Sequence, residues 1–99
     1  MIELEEVLKI HKLLIRQFGG SYGVRDKNSL NAAINRPFAT FDQQELHPQP
    51  IDKAAAILES IIINHPFIDG NKRTGYVLAR LMLLKSGIDI GRFQGGVEV

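Results

Sequence analysis

Apolar positions recur at helical spacing in four stretches of this chain, separated by glycines, prolines and one long polar interval. Residues 3–18 place Leu4, Val7, Leu8, Leu14, Ile15 and Phe18 along one helix, with Glu3, Glu5 and Glu6 in its first turn and Gly19-Gly20 as its stop. A short second helix fits Asn28 to Arg36, with Leu30, Ala33 and Ile34 as its apolar side and Pro37 ending it. Residues 37–49 follow neither period and predict a loop with a short extended flap. Pro50 suits the first position of a third helix, where its missing N–H would be unpaired anyway. The stripe Ile51, Ala54, Ala55, Leu58, Ile61, Ile62 then leads to His65, which is expected to point along the buried face before Pro66 ends the helix. Asn71 is placed as the N-cap of a fourth helix running to about Ser86, with Val77, Leu78, Leu81 and Leu84 inward and Gly87 as its stop. The pattern predicts an all-α fold in one domain, residues 1–99. The tail over 88–99 is expected to supply one strand at most, with its Gly-rich end, 91–99, poorly ordered.

Composition narrows the class without naming the chemistry. The chain is 44% hydrophobic and 23% charged, ordinary for a globular protein. No apolar run nears the roughly 20 residues a membrane span needs. There are no cysteines, which removes disulfides and thiolate zinc sites and fits a reducing compartment. The opening MIELEEVLKI carries acids where a secretory signal carries basic residues, so the expected location is the cytoplasm. Twelve basic residues against eleven acidic ones give no basic excess for nucleic acid.

The positive charge that matters is local. Helices three and four are joined by only six residues, so both termini meet in one small volume. The start of helix four exposes unpaired N–H groups and the positive end of its dipole, a ready anion site. Gly70 lets the backbone turn sharply and lets a ligand approach it closely. Lys72 and Arg73 put two cations where cations are disfavoured by about 0.3–1 kcal/mol each. That conflict is resolved if an anion occupies the site. Asp69 fits beside a phosphate as a ligand of Mg²⁺, which takes one or two carboxylates plus phosphate oxygens and water. His65 is the segment's one candidate general base, a residue type suited to taking a proton from a hydroxyl at neutral pH. Phe67 anchors the loop in the core, while His11 and His47 are expected at the surface.

The run His65-Pro66-Phe67-Ile68-Asp69-Gly70-Asn71-Lys72-Arg73 resembles the Fic/Doc superfamily signature HxFx(D/E)GN(G/K)R. The segment GVRDKNSLNAAINRP, Gly23 to Pro37, is similar to the matching region of the Doc (death-on-curing) toxin branch, and the likeness covers roughly residues 1–90. It implies a small helical bundle with the active-site loop between two core helices and a flap near 38–48 that aligns a target segment. Such sequences usually continue past the position of Gly91, so a C-terminally truncated bundle is expected, with apolar surface on helix one or four that would favour a homodimer. By this resemblance His65 is the base, Asp69 binds Mg²⁺, and Gly70, Asn71, Lys72 and Arg73 cradle the phosphates of ATP or another nucleoside triphosphate.

Two departures from the wider Fic pattern bear on the reaction the resemblance implies. Adenylylating members usually have Gly where Lys72 stands and a second Arg where Tyr76 stands. The Doc-type form Asn71-Lys72-Arg73 implies transfer of the γ-phosphate to a Ser or Thr hydroxyl, with elongation factor Tu as the family's best-known target. AMP transfer and a truncated, non-catalytic binding module are the alternatives. No Glu is followed by Gly or Asn, so the inhibitory (S/T)xxxE(G/N) helix of many Fic proteins is absent. Restraint is expected from a separate Phd-like antitoxin.

Overall fold

Proline and glycine set most helix ends where their backbone preferences require. The computed structural model describes residues 2–88 and contains four α-helices: α1 (Leu4–Phe18), α2 (Lys27–Asn35), α3 (Pro50–Asn64) and α4 (Asn71–Lys85). The Gly19 N–H closes α1 on the Ile15 carbonyl, and Pro50 is the first residue of α3. Pro37 does not simply stop α2. It enters a 3₁₀ turn, Arg36–Phe38, that carries the chain onto α3. The expected tail strand lies outside the described residues. None of the described helices is long and apolar enough to cross a membrane.

The extended interval forms a minimal antiparallel hairpin, β1 (Thr40–Phe41) and β2 (Gln44–Glu45), with Thr40 opposite Glu45 and Phe41 opposite Gln44. Asp42 and Gln43 both have positive φ, 53° and 66°, as a two-residue type I′ connection requires. Lys53 of α3 pins this flap, donating to Glu45 at 2.6 Å and to the His47 carbonyl. His47 is half-buried beneath that contact, not fully at the surface.

The core forms chiefly between α3 and α4, with α1 packed across α4 and α2 against α3. Ile57, Ile61, Leu78, Leu30 and Val7 are its largest fully enclosed aliphatic residues. The face buried by α3 is Ala54, Ala56, Ile57, Ser60 and Ile61, whereas Ile51, Ala55 and Ile62 are exposed. Apolar residues surround much of this helix, so spacing alone admits more than one inward face. In α4, Ala79, Met82 and Leu83 go inward with Leu78, Val77 and Leu81 are half-buried, and Leu84 is exposed. In α1 the buried line is Val7, His11 and Ile15, leaving Leu8 and Phe18 exposed.

The second helix has the best-defined cap. Asp26 Oδ1 accepts from the N–H groups of Asn28 and Ser29 at 3.0 and 3.1 Å, and Oδ2 accepts from the Ser29 hydroxyl at 3.0 Å. These bonds, led by those from Ser29, hold its pKa below the ordinary aspartate value. A depressed folded pKa contributes stability above the unfolded value, and that contribution is lost as pH falls through the folded one. Asp26→Asn keeps a cap acceptor but does not titrate. Relative to wild type, its thermal stability should fall less steeply between about pH 5 and 2. Superimposable acid limbs in a melting series would contradict this role.

Candidate active site

The six residues joining α3 to α4 are held from three sides. On the first, Asn71 turns its side chain back into the protein, where Oδ1 accepts from the Phe67 N–H and Nδ2 donates to the Phe67 carbonyl, both at 2.9 Å. Asn71 is therefore not the N-cap. Gly70 takes that position with φ 72°, because the chain must reverse in the left-handed region to start α4, and Asn71 is its first, buried residue. The second support is Phe67 itself, 1% exposed, with its ring stacked on His11 at 3.9 Å between centroids and 7° between planes. His11 is correspondingly buried, 4% exposed, and its Nε2 lies 2.8 Å from the Asp69 carbonyl, to which it can donate. The expectation of a surface His11 is overturned: its partners lie in the loop, and it shares the inner line of α1 with Val7 and Ile15. That spacing was the sequence signal for its burial.

The third support is the segment after α1. Val24 forms an antiparallel bridge with Phe67, the Ile68 N–H donates to the Gly23 carbonyl at 3.1 Å, and Ser21 N–H donates to Asp69 Oδ2 at 3.1 Å. Gly20 permits this approach, since a Cβ there would stand 2.8 Å from Asp69 Oδ2.

His65 does not follow the buried face. It closes α3 in the left-handed conformation, φ 48° and ψ 60°, and its residue is exposed. A residue before proline is disfavoured from the right-handed helical region, and this turn takes it off the inward line. Its Nδ1 is 3.5 Å from Asn71 Nδ2, the outer limit of hydrogen bonding. An amide nitrogen can only donate, so as a hydrogen bond this contact would make Nδ1 the acceptor and leave the proton of the neutral ring on Nε2.

A cleft of about 710 Å³ is lined by His65, Asp69, Gly70, Asn71, Lys72 and Arg73, joined by Ile68 and Tyr76. The structure thus brings together all the expected site residues except Phe67, which lies beneath them. The N–H groups of Asn71, Lys72 and Arg73 fall in the first turn of α4, where no intrahelical acceptor exists. Lys72 and Arg73 are exposed beside them, and the Arg73 guanidinium lies 4.1 Å from the centroid of the Phe18 ring. Exposed Phe18 thus supports a cation of the site. Tyr76 is 53% exposed on the same wall.

Asp69 accepts from Ser21 and, through Oδ1, from the Gly70 N–H at 3.0 Å, so its carboxylate is oriented while it remains exposed. Among the described residues no group of three or more His, Asp or Glu side chains is arranged to hold a metal. One oriented carboxylate beside an anion site fits Mg²⁺ sharing its ligands with phosphate, and does not form an all-protein cage.

The sequence profile of the Fic/DOC family matches residues 1–83. The chain belongs to this family. Among curated Fic/DOC proteins, "Toxin Doc" of Mycolicibacterium smegmatis is 44% identical over 73 residues, which cover 74% of this chain and 56% of that protein. "Protein kinase doc" of Escherichia phage P1 is 30% identical over 89 residues, 90% of this chain and 70% of the relative. These matches support the Doc branch. "Protein adenylyltransferase fic-1" of Caenorhabditis elegans is 39% identical over 46 residues, 46% of this chain but 9% of that protein. The matched region thus spans little more than half of the Mycolicibacterium relative. No solved structure gives a significant match.

Proposed function

We propose that this Fic/DOC protein is the toxin of a toxin–antitoxin pair and transfers the γ-phosphate of a nucleoside triphosphate to a Ser or Thr hydroxyl of a target protein. The observation that carries the reading is the shared cleft: an exposed histidine, an oriented carboxylate, two cations and a helix N-terminus face one space large enough for a ligand. Lys72 and Tyr76, where adenylylating members usually carry Gly and Arg, favour phosphoryl over adenylyl transfer. The likeness over 90% of this chain, and 70% of the relative, to a protein named a kinase supports the same choice.

In this mechanism His65 takes the proton of the target hydroxyl as its oxygen attacks the γ-phosphorus. The bond from that phosphorus to the bridging oxygen breaks, and the nucleoside diphosphate leaves. Such a transfer asks the protein mainly for positioning and charge neutralisation. Lys72, Arg73 and the first N–H groups of α4 supply the neutralisation. The Asn71 side chain is committed to Phe67, so its share in phosphate binding falls to its backbone N–H. Asp69 would hold Mg²⁺, which when bound neutralises phosphate charge. The flap has an open strand edge and an exposed Phe41, suited to aligning an extended target segment, with elongation factor Tu the first target to examine. A separate Phd-like antitoxin would restrain the enzyme.

The reading is tested by incubating the protein with Mg²⁺, ATP and bacterial extract and mapping modified residues by mass spectrometry. His65-dependent phosphoserine or phosphothreonine is expected; AMP-modified residues, or no His65-dependent product, would overturn it. The metal role has its own test. Loss of a metal's outer-shell partner costs about 10–100-fold in affinity, so Asp69→Asn, which removes a ligand charge but keeps an acceptor for Ser21, should cost at least as much in Mg²⁺-dependent nucleotide affinity. Calorimetry showing equal affinity with and without that substitution would make the assignment wrong.

A further inference from the structure

His65 has little of its own to hold it in place. Its ring has one long contact, and its backbone sits in a conformation that non-glycine residues rarely adopt. Its N–H closes α3 on the Ile61 carbonyl at 3.0 Å, and Arg25 holds the carbonyl side of the turn. The Arg25 side chain donates from Nε to the His65 carbonyl at 2.6 Å and from Nη2 to the Asn64 carbonyl. Its backbone N–H donates to the Pro66 carbonyl at 2.7 Å, and the Asp26 N–H shares that acceptor at 3.1 Å. One residue therefore engages three consecutive carbonyls across the turn that carries the proposed base.

The chemistry explains why arginine stands there. The last carbonyls of a helix lack intrahelical donors and carry partial negative charge, so a cation at this end is favourable. A planar guanidinium presents two donors in a fixed fork, whereas lysine concentrates its charge at one atom. The neighbouring Val24–Phe67 bridge and Asp26 cap place Arg25 against the turn from both sides. Asp26, as the N-cap of α2, fixes the backbone immediately after it.

We propose that Arg25 is a positioning residue for His65, acting on its backbone and making no contact with substrate. The proposal rests on His65 being the base of the transfer. A misplacement of about 1 Å at a reacting group can cost on the order of 100-fold, so Arg25→Ala should lower kcat by about 10–100-fold with nucleotide affinity unchanged. Arg25→Lys should recover part of the loss, and guanidinium ion at low, non-denaturing concentration should recover part of it in Arg25→Ala. A purely structural role would instead lower the folded fraction and leave kcat per folded molecule unchanged.

A readout without turnover separates this proposal from the functional reading. The His65 ring resonances, assigned by their loss in His65→Ala, should shift or broaden in nucleotide-free Arg25→Ala, while those of His47 stay in place. Circular dichroism and melting check the fold. If Arg25→Ala does not fold, Arg25→Lys is measured in the same way and should show a smaller ring shift and a smaller fall in kcat. Unchanged His65 resonances in a folded variant, or a shift without a fall in kcat per folded molecule, would overturn the proposal. An inactive wild type would count against the transfer reading alone, and the resonances would still decide whether Arg25 positions His65.

Discussion

His65→Ala should reduce transfer to the target by about 10²–10⁴-fold, the usual contribution of a positioned general base. It should leave nucleotide binding and melting temperature close to wild type, because the side chain is exposed and its ring has one long contact. Alanine keeps a Cβ and so retains the backbone restriction of the turn, which glycine would relax. The measurement is single-turnover transfer at saturating nucleotide, with nucleotide affinity determined separately. Transfer at the wild-type rate would remove His65 from the chemistry, whatever the rest of the cleft does.

The second large effect is on stability. Phe67→Ala should cost about 3–5 kcal/mol, the usual range for deleting a buried phenyl ring. A domain of this size shifts by about 4–8 °C per kcal/mol, so the melting temperature should fall by at least ~12 °C. The loss should exceed that of an isolated core ring, because Phe67 also covers His11, which would face a cavity while still bonded to the Asp69 carbonyl. Phe67→Leu keeps part of the volume and should lie between alanine and wild type. Melting curves within a few degrees of wild type for Phe67→Ala would contradict the claim that this ring carries the loop.

Helix ends at Gly19, Pro50, Pro66 and Gly87 were legible because proline and glycine act on the backbone locally, whatever the tertiary surroundings. The site was legible for a related reason: its residues crowd into one loop and one helical turn, so spacing alone brings them together. Inward faces were harder to read. Apolar residues wrap much of α3, and choosing Ile57 over Ile62 depends on where α4 lies. His11 was misjudged although it stands in line with Val7 and Ile15, because the carbonyl that satisfies its ring nitrogen is 58 residues away. Arg25 gave no local sign of its task either, since the carbonyls it holds are 39 and 40 residues distant. Asn71 was given the N-cap position, though its amide serves the loop behind it and Gly70 makes the turn. The residues of the candidate site are local in sequence, and their scaffolding is long-range.

In the proposed reaction the group transferred is the γ-phosphate. The measurement that tests it most directly incubates the protein with Mg²⁺, cell extract and ATP labelled at either the α- or the γ-phosphate, beside His65→Ala. Transfer of the γ-phosphate predicts His65-dependent label on protein from γ and none from α. Label from α would make this protein an adenylyltransferase, and the absence of His65-dependent label from either would contradict transfer altogether.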